Sequence, residues 1–238
     1  MRLAALSTWV LGTAAVALAL AVAGCASSAG AGADASHGRH TVTLAATGHR
    51  QATLAVLSGA AVVTVSATAM PGTLLRVSTP ADSEIRPQLT ESAGRVELFL
   101  DGGRMGPDAV SIQLSSAETW RLQFSGGASQ TILDLGTGKV SGIDFSAGSS
   151  LIQMGLPRPA GTTTITLAGG ASQVSITMPA GVPARLQLDG GASTATIAGV
   201  THTGIAGGTV LTGPGWAEAV NRYDVFAPAG VSDIAVSG

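Results

Sequence analysis

Two kinds of alternating run recur along the chain. Short outer–inner alternations close with an apolar residue at LQF (122–124), IDF (143–145), ITL (165–167) and LQL (186–188). A few residues later a second alternating run follows, as in VVTVSA (62–67), VSIQL (110–114), TILDL (131–135), VSITM (174–178) and TATIA (194–198). A period of two is that of a strand with one buried face, so both runs predict strands. Between them stand small residues, most plainly in FSGGASQTIL (124–133), LAGGASQVSI (167–176) and LDGGASTATI (188–197). After the second run come Pro/Gly turns such as AMPGT (69–73), GLPRPAGT (155–162) and MPAGVP (178–183).

Aligning the residue before each corner selects Ser58, Ser78, Asp101, Ser125, Ser146, Ala168 and Asp189, with spacings of 20, 23, 24, 21, 22 and 21 residues. Repetition on this scale is the mark of a solenoid. The expected fold is therefore all-β: a β-solenoid with one coil of about 21 residues per repeat, its glycines admitting a bend that recurs along one edge. Coils stacked at about 4.8 Å would make a body roughly 30 to 40 Å long. The last segment, 212–238, departs from the repeat and carries Trp216 and Tyr223, so it is expected to cap the stack against edge pairing.

Composition adds that the core is built from small aliphatic residues: only 11% of the chain is charged and 3% aromatic, with 33 glycines. A formal net charge of −2 without long runs of one sign gives no electrostatic footprint for nucleic acid. The single cysteine excludes an intramolecular disulfide.

That cysteine closes MRLAALSTWVLGTAAVALALAVAGC (1–25), a secretory leader pattern. An N-terminal membrane-spanning anchor with an incidental Cys is the alternative, since about 20 apolar residues span a bilayer. Val22, Ala23, Gly24 and Cys25 resemble the lipobox of bacterial lipoproteins. The resemblance implies cleavage before Cys25 and acylation of it, with palmitate-like chains holding the protein on the extracytoplasmic face of a membrane. The organisation expected is a signal peptide at 1–24, a Gly/Ala/Ser tether at 25–40, and a solenoid domain at 41–238 with its cap at about 212–238.

GGASQVSITMPAGVPARLQLDGGAST (169–194) resembles the toast-rack, adhesin-like family of bacterial cell-envelope proteins, and YDV-x(5)-GV-x-DIAV (223–236) is similar to the end of such domains. The resemblance spans about residues 50–238. It implies a right-handed β-solenoid outside the cytoplasm with a binding or envelope-stress role, and no catalytic residues.

Chemistry is sparse. Asp101 and Asp189 are the acids among the seven anchors, too few for a calcium ladder. Four coils apart, they would be separated by about 19 Å, against roughly 5 to 9.5 Å in glycosidases. His37, His40 and His49 lie in or near the tether, and His202 has no nearby acid in sequence. No HExxH, GxSxG or phosphate-binding loop is present. No catalytic residue, metal ligand or cofactor is expected. Phe124 and Phe145 are assigned to the core, and Trp120 and Trp216 are the candidate ligand contacts. The leading expectation is a non-enzymatic, lipid-anchored envelope protein that binds a cell-wall glycan or another envelope protein. A polysaccharide-acting β-helix enzyme and a structural spacer are the alternatives.

Overall fold

The computed structural model describes residues 40–46, 48, 50–103 and 105–238. Among them every regular element is a strand. The first seven are β1 (Thr41–Ala45), β2 (Gln51–Val56), β3 (Ala60–Thr68), β4 (Thr73–Ser78), β5 (Arg86–Ser92), β6 (Arg95–Asp101) and β7 (Ala109–Ser115). The middle of the chain supplies β8 (Thr119–Phe124), β9 (Ala128–Asp134), β10 (Lys139–Phe145), β11 (Ser149–Gly155), β12 (Thr162–Leu167) and β13 (Ala171–Thr177). The last six are β14 (Ala184–Leu188), β15 (Ala192–Ile197), β16 (Val200–Ile205), β17 (Thr209–Thr212), β18 (Arg222–Ala227) and β19 (Val231–Ser237).

They form two mixed sheets, neither of them closed. Sheet A runs β1-β4-β7-β3-β9-β11-β13-β19-β15-β16, and sheet B runs β17-β14-β18-β12-β10-β8-β2-β6-β5. A strand of sheet B, a corner, and the next strand, in sheet A, make one rung. The rungs are β2–β3, β6–β7, β8–β9, β10–β11, β12–β13, β14–β15 and β18–β19, and they stack in parallel register. Paired positions lie 21 residues apart between Phe124 and Phe145 and 22 apart between Phe145 and Leu167.

The inner faces of the two sheets make a single core. Leu54, Val65, Leu98, Ile112, Leu122, Ile143, Ile165, Ile176, Leu186 and Val225 are fully buried, each contributing about 1.5–3 kcal/mol by leaving water. The Phe124 and Phe145 rings stack within it at 4.8 Å between centroids and 13° between planes, with Leu167 and Leu188 buried in the same row.

Small residues at the corners serve close approach more than dihedral freedom. A Cβ on Gly169 would overlap the carbonyl of Ala147 in the rung beneath, so the glycine is what lets two corners touch. The next glycine answers the second need, since Gly170 has φ of +74°.

Three expectations are corrected here. Ser78 is not a corner: it ends β4, which turns back antiparallel onto β7. Asp101 lies two residues beyond the level of Ser125, because Val56 pairs with both Leu98 and Phe124. The segment 212–238 is not an end cap. β18 pairs with β12 on one side and β14 on the other, and β19 pairs with β13 and β15, so this last rung is interior. The stack ends instead on antiparallel strands: β16 on β15 and β17 on β14 at one end, β5 on β6 and β4 with β1 on β7 at the other.

Candidate binding faces

Alternation that buries one side of each strand sends the other side out, so each sheet presents an outer face ordered by its register. On sheet B one row runs Glu97, Ala55, Gln123, Asp144, Thr166, Phe226, Gln187 across the strands. The row beside it includes Arg95, Thr53, Arg121, Asp224 and Arg185. Opposite charges meet, two pairs between the rows and a third within the second row. Arg121 binds Asp144 at 2.6 Å, Arg95 binds Glu97 at 3.0 Å, and Arg185 grips both carboxylate oxygens of Asp224 at 2.9 and 2.6 Å. The hydrogen bond it donates to Asp224, opposed by burial, holds the Arg185 guanidinium above its ordinary pKa. These pairs satisfy one another and leave little charge for a partner.

The outer face of sheet A has the opposite character. Its rows read Ala109, Val62, Gln130, Leu151, Gln173, Asp233, Thr194 and Ser111, Thr64, Ile132, Gln153, Ser175, Ala235, Thr196. From β7 across to β15 no strand carries Lys or Arg, and short hydroxyl and amide groups dominate. Strand Ser and Thr are favoured here because a pleated surface leaves their short side chains solvated without crowding the neighbouring rung.

Neither tryptophan singled out from the sequence is free to meet a ligand. Trp120, on β8, is 1% exposed and donates its indole N–H to the Ser115 carbonyl at 2.8 Å. Its register partners Ala52 and Val140 are smaller, which makes room for the ring in the core. Trp216 is outside but occupied. The guanidinium carbons of Arg185 and Arg222 lie 4.0 and 4.1 Å from its ring centroid. Two guanidinium groups thus pack against the one indole. Its N–H donates to the Tyr223 carbonyl at 2.8 Å, and Arg222 donates to the Trp216 and Ala217 carbonyls. The residue staples the loop 213–221 onto sheet B.

Cys25, His37 and His49 lie outside the described residues. His40 Nδ1 is 3.1 Å from the Thr79 hydroxyl, and His202 sits half-buried on β16 opposite Ala195. Among the described residues no three His, Cys, Asp or Glu side chains gather as a metal site. The connection between β6 and β7, residues 102–108, is wider than the three-residue corners elsewhere. It borders an open hollow of about 590 Å³ lined partly by Ser58, Asp101, Asp108 and Ser129. At the other end Met178, Val182, Ile197, Pro214 and Val236 line an apolar hollow of about 230 Å³.

Polar outward positions are legible in the alternating runs; that the strands from β7 to β15 of sheet A hold no Lys or Arg is legible only once the register is known. The outward residues of the second alternating runs are mostly Ser, Thr or Gln, with Val62, Ile132 and Asp134 among them.

No protein-family model matches the sequence, and no curated protein does. Solved structures do. The chain is similar to a candidate cell adhesion protein from Clostridium sporogenes at a TM-score of 0.62 and 13% identity, over 83% of this chain and 97% of that one. A candidate adhesin from Bacteroides fragilis aligns with a TM-score of 0.22 and 8% identity, over 82% and 95%. What the chain shares with the Clostridium sporogenes protein is its fold.

Proposed function

We propose that this chain is a lipid-anchored envelope protein in which a right-handed β-solenoid binds, without catalysis, through the outer face of sheet A. The observation that carries the reading is that face: hydroxyl and amide groups interspersed with Val62, Ile132, Leu151, Asp134 and Asp233, and free of basic residues from β7 to β15. Such a surface suits many weak hydrogen bonds to an extended polar partner, and a cell-wall glycan is the chemistry that fits it best. The likeness to a candidate adhesion protein supports the same direction. The lipobox-like residues 22–25 and the Gly/Ala/Ser stretch at 25–40 support a domain held near a membrane by acyl chains on Cys25. At about 0.8 kcal/mol per buried methylene, two chains suffice for stable anchoring.

Two experiments test this. Metabolic labelling with palmitate is expected to mark the wild-type chain and not Cys25→Ser, which would leave the membrane fraction; equal labelling of both would remove the anchor. A pull-down on purified cell-wall material is expected to retain the protein. Substituting Gln130, Gln153 and Gln173 with arginine should abolish retention, while Arg121→Gln with Asp144→Asn on sheet B should not. Retention by nothing, or loss through the sheet B pair alone, would overturn the sheet A reading and favour a structural spacer.

A further inference from the structure

The turn between β7 and β8 holds an acid that its geometry does not require. Glu118 precedes Thr119, which pairs with Lys139 in the next rung, where the equivalent turn position is Gly138. Two rungs along, it is Gly161. The same position is Arg50 in the rung on the other side and Asn221 beyond Gly161, so the turn admits several residue types and carries a carboxylate here. That carboxylate is 8% exposed, and its Oε2 is the buried side-chain atom without a hydrogen-bond partner among the described residues.

Donors beside the turn bond to backbone or hydroxyl oxygens, while Arg50, at the same turn position of the neighbouring rung, is exposed. Lys139 Nζ donates to the Ala117 carbonyl at 2.9 Å, the Trp120 indole to the Ser115 carbonyl, and the Ala117 amide to the Ser115 hydroxyl at 3.3 Å. A buried carboxylate oxygen is costly unless something neutralises it. Glu118 also lines an open hollow of about 380 Å³, together with Ala46, Met70, Pro71, Ser115 and Ser116. Alanine, methionine and proline supply an apolar wall; the serines and the acid supply acceptors. No other His, Cys, Asp or Glu joins Glu118 in a group able to hold a metal ion among the described residues, so the chemistry favours an organic cation.

We propose that this hollow is a subsite for an alkylammonium group, as carried by the lysine or other diamino-acid side chain of a peptide. The ammonium meets Glu118, and the alkyl stem lies against Met70 and Pro71. This subsite stands apart from the outer face of sheet A and does not depend on it.

The probes are n-butylammonium, Nα-acetyl-lysine methylamide and, as the neutral isostere, n-pentanol. Saturation-transfer NMR on the full chain in detergent is expected to show both ammonium probes bound, with at least a several-fold stronger signal than pentanol. Glu118→Gln should abolish the difference, Glu118→Asp should keep a weaker one, and Glu218→Gln at an exposed position should leave it intact. Butylammonium should also raise the melting temperature of the wild type and not that of Glu118→Gln. Equal signals from butylammonium and pentanol, or undiminished ammonium binding in Glu118→Gln, overturn the proposal. If Glu118→Gln does not fold, the Asp variant decides: unchanged binding there overturns the proposal, and weakened binding supports it.

Discussion

Between β8 and β13 the chain lays each rung on the one before it, whereas at each end it steps over a rung. β6–β7 lies outside β2–β3, and β14–β15 lies outside β18–β19. The first and last rungs of the sequence are therefore interior to the stack; the outermost strands β5, β16 and β17 come from within the chain, and the first described strand, β1, forms the remaining edge. Termini are where a domain frays first. Placing a terminal rung between two others pairs both of its edges, and turning the neighbouring segment back as antiparallel strands gives the stack an end. Order in sequence and order in space coincide only in the middle.

The sharpest way to break this comparison is to stop the chain after Thr212. If β18–β19 were an end cap, its loss would trim the stack. As an interior rung, its loss strips pairing from β12, β13, β14 and β15 at once, and cooperative unfolding should vanish from a circular-dichroism melt. A truncated chain melting within a few degrees of the full one would mean that β14–β15 can settle directly on β12–β13.

The middle rungs were legible because their phrases repeat: GGAS at 126–129, 169–172 and 190–193 marks corners that do stack. The last corner was hidden by composition. APAGVSDIAV (227–236) matches LAGGASQVSI (167–176) position for position in the sheet, yet Pro228 stands level with Ala168 and Ala229 with Gly169, leaving Gly230 as the one glycine of the corner. At the other end Ser78 kept the spacing of a corner while belonging to an antiparallel strand. A period in sequence records which residues are equivalent; it does not record which rung lies beside which. The candidate site was less legible. Aromatic residues suggested contacts, whereas Trp120 had been placed by volume in the core and Trp216 by cation–π stacking on a loop.

Those two tryptophans sharpen the contrast between middle and end. Trp120→Ala empties a fully buried site and should cost about 3–5 kcal/mol in urea unfolding. Gly169→Ala, which presses a methyl group into the rung below, should cost roughly 1–3 kcal/mol. Trp216→Ala removes two cation–π contacts at a partly exposed position and should cost about 1–2 kcal/mol. Its other effect is local: faster hydrogen exchange confined to 213–221 would show the loop released while both sheets persist. Equal costs for the two tryptophans would mean that loop and core unfold as one unit.

The smallest effect at neutral pH is also the most specific, because Tyr223 is the only tyrosine of the chain. It lies fully buried on β18 and donates its hydroxyl proton to the Pro157 carbonyl at 2.7 Å. Burial raises its pKa well above the ordinary tyrosine value. Above about pH 10 the unfolded phenol ionises while the folded one stays neutral, so the unfolded state binds fewer protons and stability falls as pH rises. The slope approaches about 1.4 kcal/mol per pH unit until the folded phenol itself ionises. Tyr223→Phe should lose about 1 kcal/mol at neutral pH through the missing hydrogen bond, and should escape that alkaline loss. The two stability curves are therefore expected to cross about one pH unit above the onset, with phenolate absorbance in the wild type rising only as the protein unfolds. A phenol that titrates near pH 10 in the folded protein would place Tyr223 at an accessible end of the stack, and the interior position of the last rung would fall with it.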